Sequence, residues 1–173
     1  EISDSFAVNN ENMTLNFATR EKEYVMYPSG EVFSKNIEKL KNLFSSDKQK
    51  ICFDAKNLMH YLSDYGINLN NYLDISIAIY IANEMDAEIK LEDALKLNNI
   101  ITNAKALALF KLREIYINKH INNFQLKLYS DIELPLVKVL YDMEKSGKKI
   151  NVDAIKNFSA NYHEELSEVE KNI

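Results

Sequence analysis

Glycine and proline are scarce, three and two in 173 residues. That excludes a sandwich or barrel built from many tight turns, which consume both, and it favours helices. There is one cysteine, so no disulfide framework exists. Cys52 sits in the apolar run Ile51-Cys52-Phe53 with no neighbouring histidine or basic cluster, and reads as a buried, inert thiol. A single cysteine fits an intracellular origin. No run is long and apolar enough to span a membrane, and no signal peptide is visible at the start. Positive charge is not in excess: the net charge is −5 and the pI about 5.3. Nucleic-acid binding is largely phosphate neutralisation, so the chain is a poor DNA binder on its own. There is no glycine-rich phosphate loop and no Gly-x-Ser-x-Gly nucleophile signature. His60, His120 and His163 stand far apart, without metal-ligand spacing. The acidic pairs Asp86/Glu88, Glu92/Asp93 and Glu164/Glu165 read as solvating charge on exposed faces.

What remains is ample for a globular core, at 46% hydrophobic residues. The length suits one domain, or one domain and a piece of the next. The chain starts at Glu1 without a methionine, and the expectation is a piece of a longer protein.

The stretch 131–150 organises the rest. Ile132, Pro135, Leu136, Val139, Leu140 and Met143 recur at helical spacing and predict one apolar face. Asp131 or Ser130 is the expected cap, and Pro135 is tolerable in a first turn. Gly147 supplies the stop, with Lys145, Lys148 and Lys149 near the negative end of the helix dipole. Asn151 then caps a final helix striped by Val152, Ile155, Phe158, Leu166 and Val169.

Upstream, Ser5–Val8, Leu15–Thr19 and Glu23–Tyr27 read as short strands, the last two joined by a turn at Arg20–Lys22 and closed by Pro28-Ser-Gly30. Val32–Phe44 predicts a helix with Phe33, Ile37, Leu40 and Phe44 inward. Lys50–Phe53 is a buried strand. Asp54 is a candidate N-cap for a helix striped by Leu58, Tyr61, Leu62 and Tyr65 and stopped by Gly66. Leu73–Ala82 predicts a buried helix capped by Asp74, Leu91–Leu97 a short helix, and Asn99–Lys119 a long one. Strands first, helices later and a strand–helix unit between them give an α/β domain over the first two-thirds. The last 50 or so residues are helical, without an obvious core of their own.

Ile132-Glu-Leu-Pro-Leu-Val-x-Val-Leu-x-x-Met-Glu-x-x-Gly147, followed by a capped helix, resembles a segment of the bacterial DNA polymerase I family, the family A DNA polymerases. It is the segment where the 3′–5′ exonuclease-type domain passes into the polymerase thumb. Lys50-Ile-Cys-Phe-Asp-Ala-Lys-Asn-Leu58, Asp64-Tyr-Gly-Ile-Asn-Leu69 and Leu73-Asp74…Ala78-x-Tyr80-Ile81 are similar to the family's second exonuclease block and the helix after it. Tyr24-Val-Met-Tyr-Pro28 resembles the strand closing its first hairpin. The resemblance implies a ribonuclease H-like fold, a mixed sheet flanked by helices. It places the exonuclease-like domain at 1–123 and the linker helix with the first thumb helices at 124–173.

In that family, carboxylates from three motifs hold two divalent metals that activate a water and stabilise the leaving oxygen. Carried over by resemblance, the second motif's amide, tyrosine and carboxylate positions become Asp54, Asn57 and Leu58. The third motif falls on Asn99-Ile-Ile-Thr-Asn103, with Asn99 for tyrosine and Asn103 for aspartate. The first falls on Glu1-Ile-Ser3 ungapped, or on Asn9-Asn-Glu11 with a gap. Leucine cannot ligate Mg²⁺, and asparagine brings no charge. The resemblance therefore implies a vestigial exonuclease domain with a structural role in DNA replication and repair. Its partner is the rest of its own polymerase chain, in the bacterial cytoplasm at the nucleoid. DNA contact would come through the parent, Mg²⁺ would belong to the parent's polymerase domain, and no membrane is involved. The alternative is an active metal-dependent exonuclease with displaced ligands at Glu11, Asp54 and Asp74. A small helical interaction module unrelated to polymerases is the third reading, disfavoured by the length of the match at 131–150.

Overall fold

The computed structural model describes residues 5–11, 14–28, 30–83 and 89–171, less the side chains of Glu164 and Glu168. The motif reading at Glu1–Ser3 and the acidic pair Asp86/Glu88 lie outside the described residues, as does Glu164 of the pair Glu164/Glu165.

Five strands form one mixed sheet in the order β3-β2-β1-β4-β5. They are β1 (Ser5–Glu11), β2 (Thr14–Ala18), β3 (Glu23–Met26), β4 (Gln49–Cys52) and β5 (Tyr72–Asp74). β1, β2 and β3 meander antiparallel, with Ala7 opposite Ala18 and Phe17 opposite Tyr24. The turn at Arg20–Lys22 is closed by Thr19 N–H donating to Lys22 O at 2.9 Å. β1, β4 and β5 run parallel, with Ala7 opposite Ile51 and Cys52 opposite Asp74. The α/β class and the mixed sheet flanked by helices read from the sequence are what the chain adopts, an architecture compatible with a ribonuclease H-like fold.

Side chains alternate across the sheet, which produces two core layers. Phe6, Val8, Leu15 and Cys52 face α1 (Glu31–Ser45) and α2 (Ala55–Ser63), meeting Phe33, Leu40, Phe44, Leu58 and Leu62. Ala7, Ala18 and Ile51 face the other way, onto α3 (Ile75–Asn83) and α5 (Lys105–Ile115), meeting Ile75, Ile79, Leu109 and Leu112. α4 (Leu91–Leu97) contributes Leu91, Ala94 and Leu95 to this second layer.

Three expectations need correction. Leu73 does not begin a helix. Tyr72–Asp74 is a parallel edge strand, and α3 starts after it. A three-residue buried strand running straight into a buried helix is one unbroken apolar run in the sequence, with no change of period to mark the join. The helix over 99–119 is also shorter than expected. Asn99 adopts a left-handed φ of 53°. Its N–H donates to Lys96 O, and Ile100 N–H donates to Leu95 O at 2.9 Å. That pair of bonds is the Schellman stop of α4, so Asn99 ends one helix and α5 starts six residues later.

The third correction concerns the organising helix. Asn122 caps α6 (Asn123–Leu128) with a full capping box. A π-helical turn (Tyr129–Glu133) then carries the helix straight into α7 (Leu134–Ser146). Neither Ser130 nor Asp131 caps anything, because no helix starts there. Pro135 lies within a continuous helix, and the wide turn just before it accommodates the missing N–H and the ring. Tyr129 and Val137 are buried, and Leu134 packs against the core. The expected inward stripe faces out instead: Ile132 is 56% exposed, Val139 51% and Met143 56%. Both sides of this helix are apolar, and spacing alone selected the wrong one. Gly147 ends α7 at a φ of 63°, as its position suggested. Asn151 Oδ1 accepts from Ala154 N–H at 3.1 Å and opens α8 (Val152–Lys171), whose apolar stripe is uncovered throughout.

Lys50, on β4, is fully buried, and its ammonium donates to Ser46 O. Burial pushes its pKa down to about 8, against the attraction of Asp47. A lysine whose folded pKa lies below its unfolded value of 10.5 gives a stability that rises with pH between the two. Urea unfolding from pH 8 to 10.5 is therefore expected to show wild type gaining on Lys50→Met. Equal slopes in the two proteins would refute the assignment.

Candidate functional site

The carboxyl ends of β1, β4 and β5 lie along one edge of the sheet. Side chains just beyond them meet there, as in open α/β sheets generally. Asn9, Asn10 and Glu11 end β1. Phe53 and Asp54 follow β4, and Asp74 ends β5. Together with Asn57, Ser76, Tyr80, Glu92, Leu136 and Leu140 they line a cleft of about 590 Å³.

Asp54 holds a left-handed backbone, φ 56°, at the start of α2. Its carboxylate accepts from Asn57 N–H at 3.0 Å, a true N-cap. Asp74 is buried and tied more tightly. Its Oδ1 accepts from Asp54 N–H at 3.1 Å, Ser76 N–H at 2.9 Å and Ser76 Oγ–H at 2.7 Å, while Oδ2 accepts from Ala55 N–H at 2.6 Å. One carboxylate thus opens its own helix and pins the start of the neighbouring one. Burial raises its pKa, helped by the charge of Asp54, and the donors of Ala55 and Ser76 pull the other way. The backbone of Asp74 is also bound: its N–H donates to Tyr129 Oη at 2.9 Å, and the Tyr129 hydroxyl donates to Asp74 O at 3.0 Å. Cys52, one residue from this knot, donates to Leu73 O at 3.3 Å. Burial first, then Asp74 and Asp54, push its thiol well up, as expected of an inert cysteine.

Glu11 is engaged differently. Lys105, the first residue of α5, places its ammonium 2.5 Å from Glu11 Oε1 and 2.6 Å from Glu92 Oε1. The pairing lowers the Glu92 pKa and raises that of Lys105, with Glu11 the larger cause. The amide of Ala106 at the same helix start donates to Glu23 Oε1 at 3.3 Å.

The candidate positions therefore separate. Glu11, Asp54 and Asp74 converge on the cleft. Leu58 does not line it and lies fully buried in the layer under α1. Lys56 and Asn57 are the residues of α2 that line the cleft. Asn99 and Asn103 are on the loop before α5, and neither lines the cleft. Among the described residues, no group of three or more His, Cys, Asp or Glu side chains is placed to hold a metal ion.

Sequence reasoning overlooked Lys105, Glu23 and Tyr129, and read Glu92 only as solvating charge where it pairs with Lys105. One signal was available for Lys105. A lysine at the first position of a helix opposes the dipole and calls for anions nearby. Tyr129 carried no signal, since it fell outside the stripe chosen for the helix.

On the far side of the cleft, α7 lies against α2. Glu144 accepts from Lys56 Nζ and pairs with His60 Nε2, both at 2.8 Å, and the Tyr141 ring packs tilted against that of His60, with centroids 4.8 Å apart. Lys56, then His60, hold the Glu144 carboxyl below its ordinary range. Tyr72 donates to Leu134 O at 2.8 Å.

No family model matches the chain. Across 187 aligned positions, covering all of this chain, it is 26% identical to the DNA polymerase I of Caldicellulosiruptor bescii. It is 39% identical over 69 residues, 40% of its length, to the DNA polymerase I of Bacillus subtilis. The chain spans 22% of the first relative, and the second match spans 8% of that protein. The likeness read from 131–150 and 50–81 is thus a likeness to bacterial DNA polymerase I, and it extends over the whole chain. Among the described residues, no helix is long and apolar enough to cross a membrane.

Proposed function

Starting from its likeness to bacterial DNA polymerase I, we propose that this chain is the exonuclease-like part of such a polymerase with the first helices of the thumb. We propose further that the nuclease site has become a structural joint. The observation that carries this is the occupation of the cleft's carboxylates by the fold itself. Asp54 and Asp74 cap helices, and Glu11 is paired with an ammonium.

The two metals of the ancestral chemistry would need several carboxylates free to turn toward them. The residues here do not fit that demand. Asp74 already accepts four hydrogen bonds, Leu58 offers no oxygen, and Lys105 brings positive charge to the spot where a cation would be wanted. No hydrolytic step is assigned to the cleft, and Mg²⁺ is assigned to the parent's polymerase domain.

The division at 123/124 follows the capping box at Asn122, where a new helix starts. α7 holds α2 through Glu144 and Tyr141, lines the cleft with Leu136 and Leu140, and keeps the stripe Ile132, Val139 and Met143 uncovered. With the exposed face of α8, that stripe is where the rest of the polymerase would pack. DNA then reaches the molecule through the parent, which suits a chain of net charge −5.

The test is degradation of single-stranded DNA by the purified chain with Mg²⁺ or Mn²⁺. The expected result is no cleavage above a metal-free control. Metal-dependent cleavage lost in Glu11→Gln would overturn the reading and restore the displaced-ligand exonuclease.

A further inference from the structure

We propose that Lys105 is a built-in cation, an ammonium that replaces a divalent metal in joining the end of β1 to the helical layer beside it. Three observations converge on this. First, the ammonium sits between carboxylates from two different elements, Glu11 at the end of β1 and Glu92 in α4, at 2.5 and 2.6 Å. Glu11 is 94 residues away in sequence, so the contact is a tertiary clamp and not a helix-surface pair. A divalent ion bound by two carboxylates bridges elements in the same way.

Second, helix formation gives no reason for a lysine there. Lys105 opens α5, where the dipole is positive and a cation is disfavoured. A neighbouring carboxylate, Glu23, instead occupies the position the dipole prefers, accepting from Ala106 N–H. The lysine is held at an unfavourable helix end by the two glutamates it joins. Its side chain is only 21% exposed, against 70% for Lys35 in a surface pair with Glu31.

Third, the resemblance implies a third-motif carboxylate on this late helix, and the residue of α5 that meets Glu11 here is an ammonium. Asn103 lies on the preceding loop, and Lys105 is the α5 residue whose side chain meets the β1 carboxylate. A register two residues later than the sequence suggested puts Lys105 in that place. Exchanging a carboxylate for an ammonium exchanges a metal-binding group for the charge the metal brought. The cleft keeps its cation and loses its dependence on one.

The inference rests on the proposed loss of nuclease function only for where the metal would have been. Cleavage of DNA would remove that reading, whereas the experiment here reads the lysine itself. The Tm of wild type, Lys105→Met and Lys105→Met/Glu11→Gln is measured in EDTA, in Mg²⁺, in Mn²⁺ and in NaCl of matched ionic strength. Wild type is expected to respond to the divalent ions no more than to NaCl. Lys105→Met is expected to melt about 2–4 °C lower in EDTA. It should recover about half of that loss or more with Mg²⁺ or Mn²⁺, because Glu11 and Glu92 are then free to share an ion. The double variant should lose the recovery. A Lys105→Met protein indifferent to divalent ions would overturn the proposal. So would a wild type stabilised as much as the variant. Should Lys105→Met fail to fold, Lys105→Gln and wild type are compared by Mn²⁺ electron paramagnetic resonance. One Mn²⁺ held by Lys105→Gln and none by wild type is the expected result, and equal binding in both overturns the proposal.

Discussion

Replacing Tyr129 with alanine is expected to lower stability by about 3–5 kcal/mol, the usual range for removing a large buried aromatic. For a chain of this length that is a fall in Tm of roughly 10 °C. Tyr129 is 1% exposed and packs in the layer with Ile75, Ile79 and Leu109. It is also the one fully buried side chain of the π-helical turn that leads into α7. Its hydroxyl closes a two-way contact with the backbone of Asp74, donating to the carbonyl and accepting from the amide. Tyr129→Phe keeps the ring and strands both backbone groups away from water. An unsatisfied buried polar group costs about 1–3 kcal/mol, so the hydroxyl alone should account for a measurable share. Urea unfolding of the two variants separates packing from hydrogen bonding. A Tyr129→Phe protein within about 0.5 kcal/mol of wild type, the range of an ordinary surface substitution, would show that the hydroxyl contact does not form.

Asp74→Ala should be as damaging. Four donors on three residues lose their acceptor at once, and two helices lose the group that fixes their first turns. Loss of a cap costs about 1 kcal/mol, and each buried donor left unpaired about 1–3 kcal/mol. These costs overlap, and a total on the order of 4 kcal/mol is expected. Asp74→Asn keeps one acceptor oxygen and should lose about half as much. The two also differ in pH response. Burial holds the Asp74 carboxyl above its ordinary 3.8. The folded chain then binds that proton more readily than the unfolded chain, so this group's stability falls as pH climbs from about 4 into the raised range. Asp74→Asn should flatten that part of the profile, and a profile unchanged from wild type would contradict the assignment. It follows that Asp74→Ala is a poor probe of chemistry in this cleft, because any activity it removed would be lost with the fold.

Much of the framework was legible because it depends on local signals. Asp54 and Asn151 cap the helices they were expected to cap, and Gly66 and Gly147 stand at positive φ where helices stop. Phe33, Leu40 and Phe44 face the sheet as their spacing predicts. The failures share another cause, since each depended on what lay on the far side of a residue. Asn99 looked like the start of α5 because a left-handed asparagine stop is indistinguishable in sequence from one that opens the next helix. The stripe from Ile132 to Met143 is as apolar as a buried face, and only the tertiary structure shows that Tyr129 and Val137 point inward. The site divided in the same way. The caps at Asp54 and Asp74 were visible, but the pairing of Glu11 with Lys105 joins residues 94 apart that no local pattern connects.

The wide turn at Tyr129–Glu133 also sets the phase of everything beyond it. A π-helical turn holds one residue more than the α-helix around it needs. Each residue of an α-helix advances the rotation by about 100°. Winding the same residues as regular α-helix would carry that surplus residue into the rotation and turn α7 by roughly a quarter of a revolution. Val137 and Tyr141 would swing away from α2, and the uncovered stripe would swing with them. One residue of slack thus fixes which apolar face belongs to the sheet and which is left for whatever follows.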